Sequence, residues 1–159
     1  MANYTNYKEI NMARPKAKRI LRDLPNVKGF RPLWMRTNYR SAVVMPLEEY
    51  EAIRLVDYEG MTHEEASQSM GVSRPTLTRI YEQARSKLAT ALVEGRTFLI
   101  EGGEVNIAEP HYYCEACQHK FTATSEHPDS DNCPSCKSQR VVSLNKCFVE
   151  GCRRCSRCR

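Results

Sequence analysis

The sequence predicts a small multi-domain, mainly α fold in which a helix-turn-helix domain is followed by a small β ribbon. Apolar residues recur at helical spacing across residues 46–93, on both sides of the Gly71 turn. Two C-x2-C pairs follow, separated by fifteen residues. A chain of 159 residues has room for one ordinary domain or two small ones, so each unit should have a small core.

Composition and spacing divide the chain into four predicted segments. These are a basic N-terminal arm (1–45), a helix-turn-helix domain with a C-terminal hairpin (46–107), a four-cysteine zinc ribbon (108–145) and a Cys/Arg-rich tail (146–159).

Charge is distributed unevenly along the chain. Residues 1–45 contain ten Lys and Arg against two Asp and Glu, and the last 49 residues contain eight basic side chains against five acids. Basic ends favour a polyanionic partner, with nucleic acid as the first candidate. A solvated arm that only keeps the protein soluble explains the charge equally well.

The first predicted helix lies in "PLEEYEAIRLVDYEG". Pro46 suits a first helical position, and Glu48 and Glu49 stand where the helix dipole favours acids. Leu47, Tyr50 and the aliphatic residues up to Val56 form a broad apolar face, and Gly60 ends the helix.

The second and third helices are separated by Gly71. Thr62 and Glu65 match a T-x-x-E capping box at the start of the second helix. Ser73 caps the third helix, which runs to about Leu92. Beyond it, "RTFLIEGGEVNI" predicts a hairpin around Gly102 and Gly103.

Two helices joined by a glycine turn are typical of a DNA-binding helix-turn-helix. Ser67 supplies the small residue where the helices cross, and Val72, Leu77 and Ile80 lock the third helix inward. The N-terminal residues of such a recognition helix contact bases in the major groove. The predicted DNA-binding residues are Ser73, Arg74, Thr76, Thr78, Arg79 and Gln83 on the helix, with Arg14, Lys16, Lys18 and Arg19 on the arm. An αα-hairpin in a plain bundle, with an ordinary solvated face, is the alternative.

The stretch from Glu48 to Gly103, "EEYEAIRLVDYEGMTHEEASQSMGVSRPTLTRIYEQARSKLATALVEGRTFLIEGG", resembles the prokaryotic family catalogued as domain of unknown function 134 (uncharacterised protein family 0251). "ARPKAKRI" followed by "GFRP" resembles the family's N-terminal arm, so the resemblance covers roughly residues 13–103. It implies a helix-turn-helix similar to region 4 of sigma factors, with DNA contacts from the "SRPTLTR" segment. The family pattern usually has Ala where this chain has Ser67, and the cysteine-rich C-terminus lies outside the core motif.

Four cysteines in two C-x2-C pairs predict a metal site. Each C-x2-C turn directs two thiolates at one point, and two turns complete a tetrahedron around Zn²⁺. A rubredoxin-like iron site is the alternative. The expected ligands are Cys114, Cys117, Cys133 and Cys136. Gly often follows the second Cys of such a turn, but here Gln118 and Lys137 stand there.

The tail "CFVEGCRRCSRCR" contains a second set of four thiols. Three interpretations stay open: a second Zn²⁺, an iron–sulfur cluster, or a redox-active thiol cluster. The ligands in question are Cys147, Cys152, Cys155 and Cys158.

The leading interpretation is a sequence-specific DNA-binding protein that regulates transcription, with double-stranded DNA as its partner. The alternatives are a zinc-ribbon adaptor that contacts RNA polymerase or another regulator, and an iron–sulfur or redox protein. Motifs such as G-x-S-x-G, a phosphate-binding glycine loop or H-E-x-x-H are absent from the sequence, so we expect no enzyme. We further expect a cytoplasmic protein without a signal peptide or a membrane partner, and a homodimer is compatible with the helix-turn-helix prediction.

Overall fold

The computed structural model describes residues 18–34, 41–122 and 131–149. Three strands come first: β1 (Arg19–Leu21), β2 (Gly29–Phe30) and β3 (Val43–Met45). The helical part contains α1 (Leu47–Ile53), a π-helical turn (Arg54–Tyr58), α2 (His63–Met70) and α3 (Arg74–Val93). Five strands and a last helix follow: β4 (Phe98–Ile100), β5 (Val105–Ile107), β6 (His111–Cys114), β7 (Lys120–Thr122), β8 (Val141–Ser143) and α4 (Leu144–Val149).

Two helices, α2 and α3, lie on either side of the Gly71 turn. The Glu65 amide donates to Thr62 Oγ1, and the Glu65 carboxylate accepts from the Thr62 amide at 2.8 Å, which completes the capping box. Gly71 closes α2 in the left-handed conformation at φ +65°, where glycine has no Cβ to strain. Ser67 is buried where the two helices meet. One core joins the helices, formed by Ala52, Leu55, Ala66, Met70, Leu77, Ile80 and Tyr81.

The predicted hairpin around Gly102 and Gly103 is wrong. β4 is the central strand of a three-stranded sheet, antiparallel to β2 and parallel to β3, whereas β5 pairs with β1 in a separate parallel sheet. The glycine segment bonds elsewhere: Gly102 accepts from the Leu47 amide and donates to the Phe148 carbonyl. These contacts at the start of α1 and the end of α4 direct β4 and β5 to different partners.

The described part of residues 1–45 does not form a separate arm. Its three strands supply the partners of β4 and β5, and Leu21, Leu24 and Met45 are buried. The prediction of a basic arm therefore misses the apolar residues of this segment, which complete a second core.

The predicted boundary between residues 145 and 146 falls inside α4. Leu144 and Phe148 of α4 are buried in the same core as Leu21, Leu47 and Ile100, so the end of the ribbon is packed onto the helical part. The architecture therefore combines helices with three small sheets. The predicted mainly α class does not account for these sheets. Among the described helices, none has the length and apolar character needed to cross a membrane.

Candidate nucleic-acid interface and metal centre

The N-terminal half of α3 has one buried and one exposed side. Leu77 is fully buried, Ile80 is almost so, and Val72 packs against the same core from the preceding turn. Arg74, Arg79 and Gln83 are exposed, while Thr76 and Thr78 are half-buried. The aliphatic residues thus turn a basic and polar edge of α3 outward.

Ser73 occupies the N-cap position of α3 without capping the helix through its side chain. Its hydroxyl lies 2.8 Å from the Thr76 hydroxyl, and Ser73 makes no side-chain bond to a first-turn N–H. The start of α3 contains Pro75 and no acidic residue in its first turn. Such a helix start keeps its positive dipole end uncompensated, which favours an approaching anion such as phosphate.

Thr78 is held against α2 by His63. Thr78 Oγ1 donates to the Arg74 carbonyl at 3.1 Å and lies 3.0 Å from His63 Nδ1. Because the single hydroxyl proton is used on Arg74, His63 Nδ1 is the donor in the second bond. Sequence reasoning missed His63, because its contact with Thr78 joins two different helices.

Tyr81 connects α3 to the π-helical turn. Its hydroxyl donates to Asp57 at 2.7 Å, and the bond to this carboxylate, together with burial, raises the pKa of Tyr81. The His63 ring meets the Tyr81 ring edge-on at 5.1 Å between centroids, and the Arg85 guanidinium lies 5.5 Å from the same ring. Polar and aromatic contacts therefore restrain α3 against α2 and the π-helical turn.

Glu51 is a buried carboxylate on the inner side of α1. Its side chain is 1% exposed and accepts two bonds from Arg54, at 2.8 and 2.7 Å. Hydrogen bonds to Glu51 raise the pKa of Arg54 above its ordinary value. Arg54 also pairs with Glu59, at the end of the π-helical turn. The acidic stretch of α1 thus contributes to the interior, since Glu49 is buried as well.

The basic residues predicted on the arm have different environments. Lys18 is exposed. Arg19 is buried and pairs with Glu104 at 3.6 Å, so this residue does not belong to an exposed basic surface. Arg14 and Lys16 lie outside the described residues. The Ile20 side chain of β1 reaches the Gly71 turn, 3.4 Å from where a Cβ of that glycine would stand. The chain therefore enters the described structure beside the turn that precedes α3.

The four ribbon cysteines lie on two matching turns. The Gln118 amide donates to the Cys114 carbonyl and the Lys137 amide to the Cys133 carbonyl, each at 2.9 Å. Gln118 and Lys137 adopt positive φ values of 62° and 59°, in the positions that glycine often fills. The first turn joins β6 to β7, which with β8 form a three-stranded antiparallel sheet.

All four Sγ atoms lie within 4.8 Å of one another. The Cys114–Cys136 and Cys117–Cys133 Sγ atoms are 3.6 Å apart, close to the spacing of about 3.8 Å that tetrahedral Zn–S bonds of about 2.3 Å require. The chemistry and spacing of these donors fit a metal ion bound by four thiolates.

Cys114 and Cys117 have different surroundings. Burial opposes its thiolate, but donors from the Cys117 and Ala116 amides and neighbouring thiols lower the pKa of Cys114 to about 6. Cys117 accepts from the His119 amide, which favours its thiolate, yet lost solvation and the other three thiols raise the pKa of Cys117 to about 12. A bound cation would remove this opposition between neighbouring thiolates.

Only one cysteine of the second predicted set is described. Cys147 lies on α4, between the buried residues Leu144 and Phe148, and is half-buried. Cys152, Cys155 and Cys158 lie outside the described residues, so the arrangement of the four tail thiols stays a prediction.

Comparison with known proteins places the chain in a family. The family model described as "Protein of unknown function DUF134" matches residues 9–108. A UPF0251 protein of Chloroherpeton thalassium is 39% identical over 138 residues, which cover 87% of this chain and 91% of that protein. UPF0251 proteins of Halothermothrix orenii (38% over 132 residues, covering 81% and 98%) and Caldicellulosiruptor bescii (41% over 131 residues, covering 82% and 88%) are similar to it as well.

These similarities extend past the part matched by the family model. A match of 138 residues cannot fit within residues 1–108, so it includes part of the ribbon segment. No solved structure matches the chain. Because the model covers well over half of the chain and the relatives align along most of their own lengths, the chain belongs to the DUF134 family of UPF0251 proteins.

Proposed function

We propose that this protein is a sequence-specific DNA-binding regulator of transcription that inserts the start of α3 into the major groove. The observation that carries the proposal is the outward position of Arg74 and Arg79, on a helix whose opposite side is fixed by Leu77 and Ile80. Arginine pairs with guanine through two hydrogen bonds, and glutamine pairs with adenine in the same way, which gives Gln83 a second base contact.

The surroundings of α3 support this assignment. The His63–Thr78 and Tyr81–Asp57 hydrogen bonds restrain α3 against α2 and the π-helical turn. Its exposed side chains therefore project from a backbone of fixed position. Lys18 is exposed just before β1, and the Ile20 side chain of that strand lies against the Gly71 turn. Lys18 is thus suited to contact phosphates near the groove that α3 enters.

We assign the ribbon a structural Zn²⁺ held by Cys114, Cys117, Cys133 and Cys136. Four thiolates close the coordination sphere, so the ion has no open position for a substrate and stabilises the fold. Thiolates of this kind persist in a reducing compartment, so the proposal places the protein in the cytoplasm and gives it no catalytic step.

Selection from random DNA duplexes followed by fluorescence anisotropy tests the function. We expect one enriched motif, whose affinity falls roughly 10- to 100-fold in Arg74→Ala and in Arg79→Ala, because each removes a base contact worth roughly 1–3 kcal/mol. Arg140→Ala is the matched control, since it removes one exposed arginine from the ribbon and should leave the affinity near wild type.

Failure to enrich any motif would reject sequence-specific binding, as would an equal loss in Arg140→Ala and Arg74→Ala. A protein partner that is still captured by the double variant of Arg74 and Arg79, but lost on disrupting the ribbon, would favour the adaptor function instead.

Elemental analysis tests the metal separately. Anaerobically purified wild type and Cys133→Ser should differ by one zinc per chain, because the variant loses a buried ligand of the ribbon. A difference of one iron with visible absorption would replace the zinc assignment by a rubredoxin-like site.

A further inference from the structure

A large apolar surface lies at the end of α3 that is far from Arg74. We call this the α3-end surface. It consists of Phe30, Leu88 and Leu92, which line one groove, and of Val93, which follows Leu92 at the end of α3. Leu92 and Val93 are 84% and 83% exposed, and Phe30 is 65% exposed. Together these side chains present on the order of several hundred Å² of apolar area, the scale at which exposed apolar surface marks an interaction site.

The α3-end surface contains a groove and a ridge side by side. A shallow cavity of about 300 Å³ runs between residues 30–32 and the last turns of α3, with Leu88, Gly95 and Phe98 in its lining. Leu92 forms one wall, and Val93 projects next to it. A surface with both shapes can match a copy of itself, because a two-fold axis places each ridge in the other groove at once.

We propose that the α3-end surface is the interface of a two-fold homodimer. The edge of the surface has both charges: Arg31 is exposed on the strand side, and Glu94 is 55% exposed at the end of α3, where it pairs with Arg96. In a two-fold pair, Arg31 of one copy can face Glu94 of the other, so like surfaces meet without net repulsion. The apolar centre suits a protein neighbour and is unsuited to the phosphate backbone of DNA.

The position of the surface along α3 also fits a dimer on DNA, a step that rests on the proposed function. Leu88 follows Arg74 by fourteen residues, which is about 21 Å along a helix. Leu92 follows Arg74 by eighteen residues, about 27 Å, so two copies that meet between Leu88 and Leu92 would place their α3 starts at most about 42 to 54 Å apart. Crossing of the helices shortens this distance toward the 34–36 Å that separates successive major grooves on one face of DNA.

Sedimentation velocity of the full chain without DNA, over a concentration series, tests the interface. We expect the dimer mass for wild type, and a dissociation constant raised about 100-fold or more in Leu92→Glu, since each dimer then buries two unpaired carboxylates. Tyr58→Glu is the matched control: it places the same charge at an apolar residue that is 86% exposed elsewhere, and the dimer should persist. Circular dichroism of both variants checks that the fold is retained.

A wild type that stays monomeric at all concentrations overturns the proposal, and so does a dimer that is equally stable in Leu92→Glu. Capture of a different protein on the α3-end surface of a monomeric chain gives the surface another occupant and likewise refutes the homodimer. Because DNA is absent from the measurement, a dimer that binds no duplex would disprove the DNA-binding function and leave the interface intact.

Discussion

His63 Nδ1 on α2 lies 3.0 Å from Thr78 Oγ1 on α3, and this part-buried bond joins the two helices next to Tyr81 of their shared apolar core. The Thr78 hydroxyl donates a hydrogen bond to the Arg74 carbonyl one turn earlier. The pair therefore fixes the backbone from which Arg74 projects, as well as the angle between the helices.

Replacing Thr78 tests this link. We expect Thr78→Val to lower the free energy of unfolding by about 1 kcal/mol more than Thr90→Val, measured by urea denaturation. Thr90 is the matched control because its hydroxyl makes the same bond to a carbonyl four residues earlier on α3, at 2.9 Å, with no His63 contact. Equal losses in the two variants would show that the His63 bond contributes nothing.

The buried pair of Glu51 and Arg54 gives a second prediction. Glu51→Gln should lower the free energy of unfolding by about 3 kcal/mol or more. The variant removes the negative charge that pairs with Arg54 in a site that is largely closed to water. Glu94→Gln, which breaks the exposed pair with Arg96, should cost less than about 1 kcal/mol. Thermal and chemical denaturation of the two variants would provide the comparison, and similar costs would contradict the buried role of Glu51.

The two left-handed residues of the ribbon predict stabilising substitutions. Gln118→Gly and Lys137→Gly should each raise the stability of the metal-bound ribbon by up to about 1 kcal/mol, since glycine adopts φ near +60° without strain. The third glycine variant, Gln139→Gly, is the control: this residue has no positive φ and should lose stability or stay unchanged. A competition with a zinc chelator measures all three, and destabilisation by the first two would disprove the argument.

Asp23 connects the N-terminal segment to the ribbon and gives a prediction about pH. Burial raises its pKa, but Lys120 at 2.9 Å and His111 at 3.0 Å outweigh this, so the pKa of Asp23 lies below its ordinary value of 3.8. A carboxylate with a lowered folded pKa stabilises the fold at pH values above the unfolded pKa, and this stabilisation is lost as pH falls through the folded pKa.

Urea midpoints between pH 6 and pH 2.5 for wild type and Asp23→Asn check this behaviour. The advantage of wild type should be full near pH 6 and should shrink below about pH 4, where the carboxylate of the unfolded chain starts to bind protons. Taking the difference between the two profiles removes the acid sensitivity that both proteins share through their thiolates. A difference that stays constant down to pH 2.5 would contradict the role of Asp23.

Local features of the site were predictable from the sequence, because each depends on residues close together in the chain. The capping box of Thr62 and Glu65 is one such feature, and the left-handed Gly71 is another. Each C-x2-C pair also predicts its own turn and the closeness of its own two thiols, and the four thiols lie within 4.8 Å of one another.

Contacts between distant segments were the ones that sequence patterns missed. Gly102 and Gly103 are residues typical of a hairpin turn, but β4 and β5 do not pair with each other. Each forms its backbone hydrogen bonds with strands far earlier in the chain. Arg19 is predicted on an exposed arm because a charged residue is usually exposed. In the structure it is buried, since β1 lies inside the fold and Arg19 pairs with Glu104. The bond from His63 to Thr78 depends on the angle between two helices, which a single sequence does not specify.

The parallel pairing of β1 with β5 has a consequence for how the chain folds as it is synthesised. Arg19 aligns with Val105, so the two partners are 86 positions apart, and the whole helical part lies between them. Contacts of such long sequence separation form late and slow the folding rate, whereas the helices need only neighbouring residues. On the ribosome, β1 must therefore wait without its partner strand until residue 107 has emerged, and completion of the β1–β5 sheet is the step we expect to limit maturation of the protein.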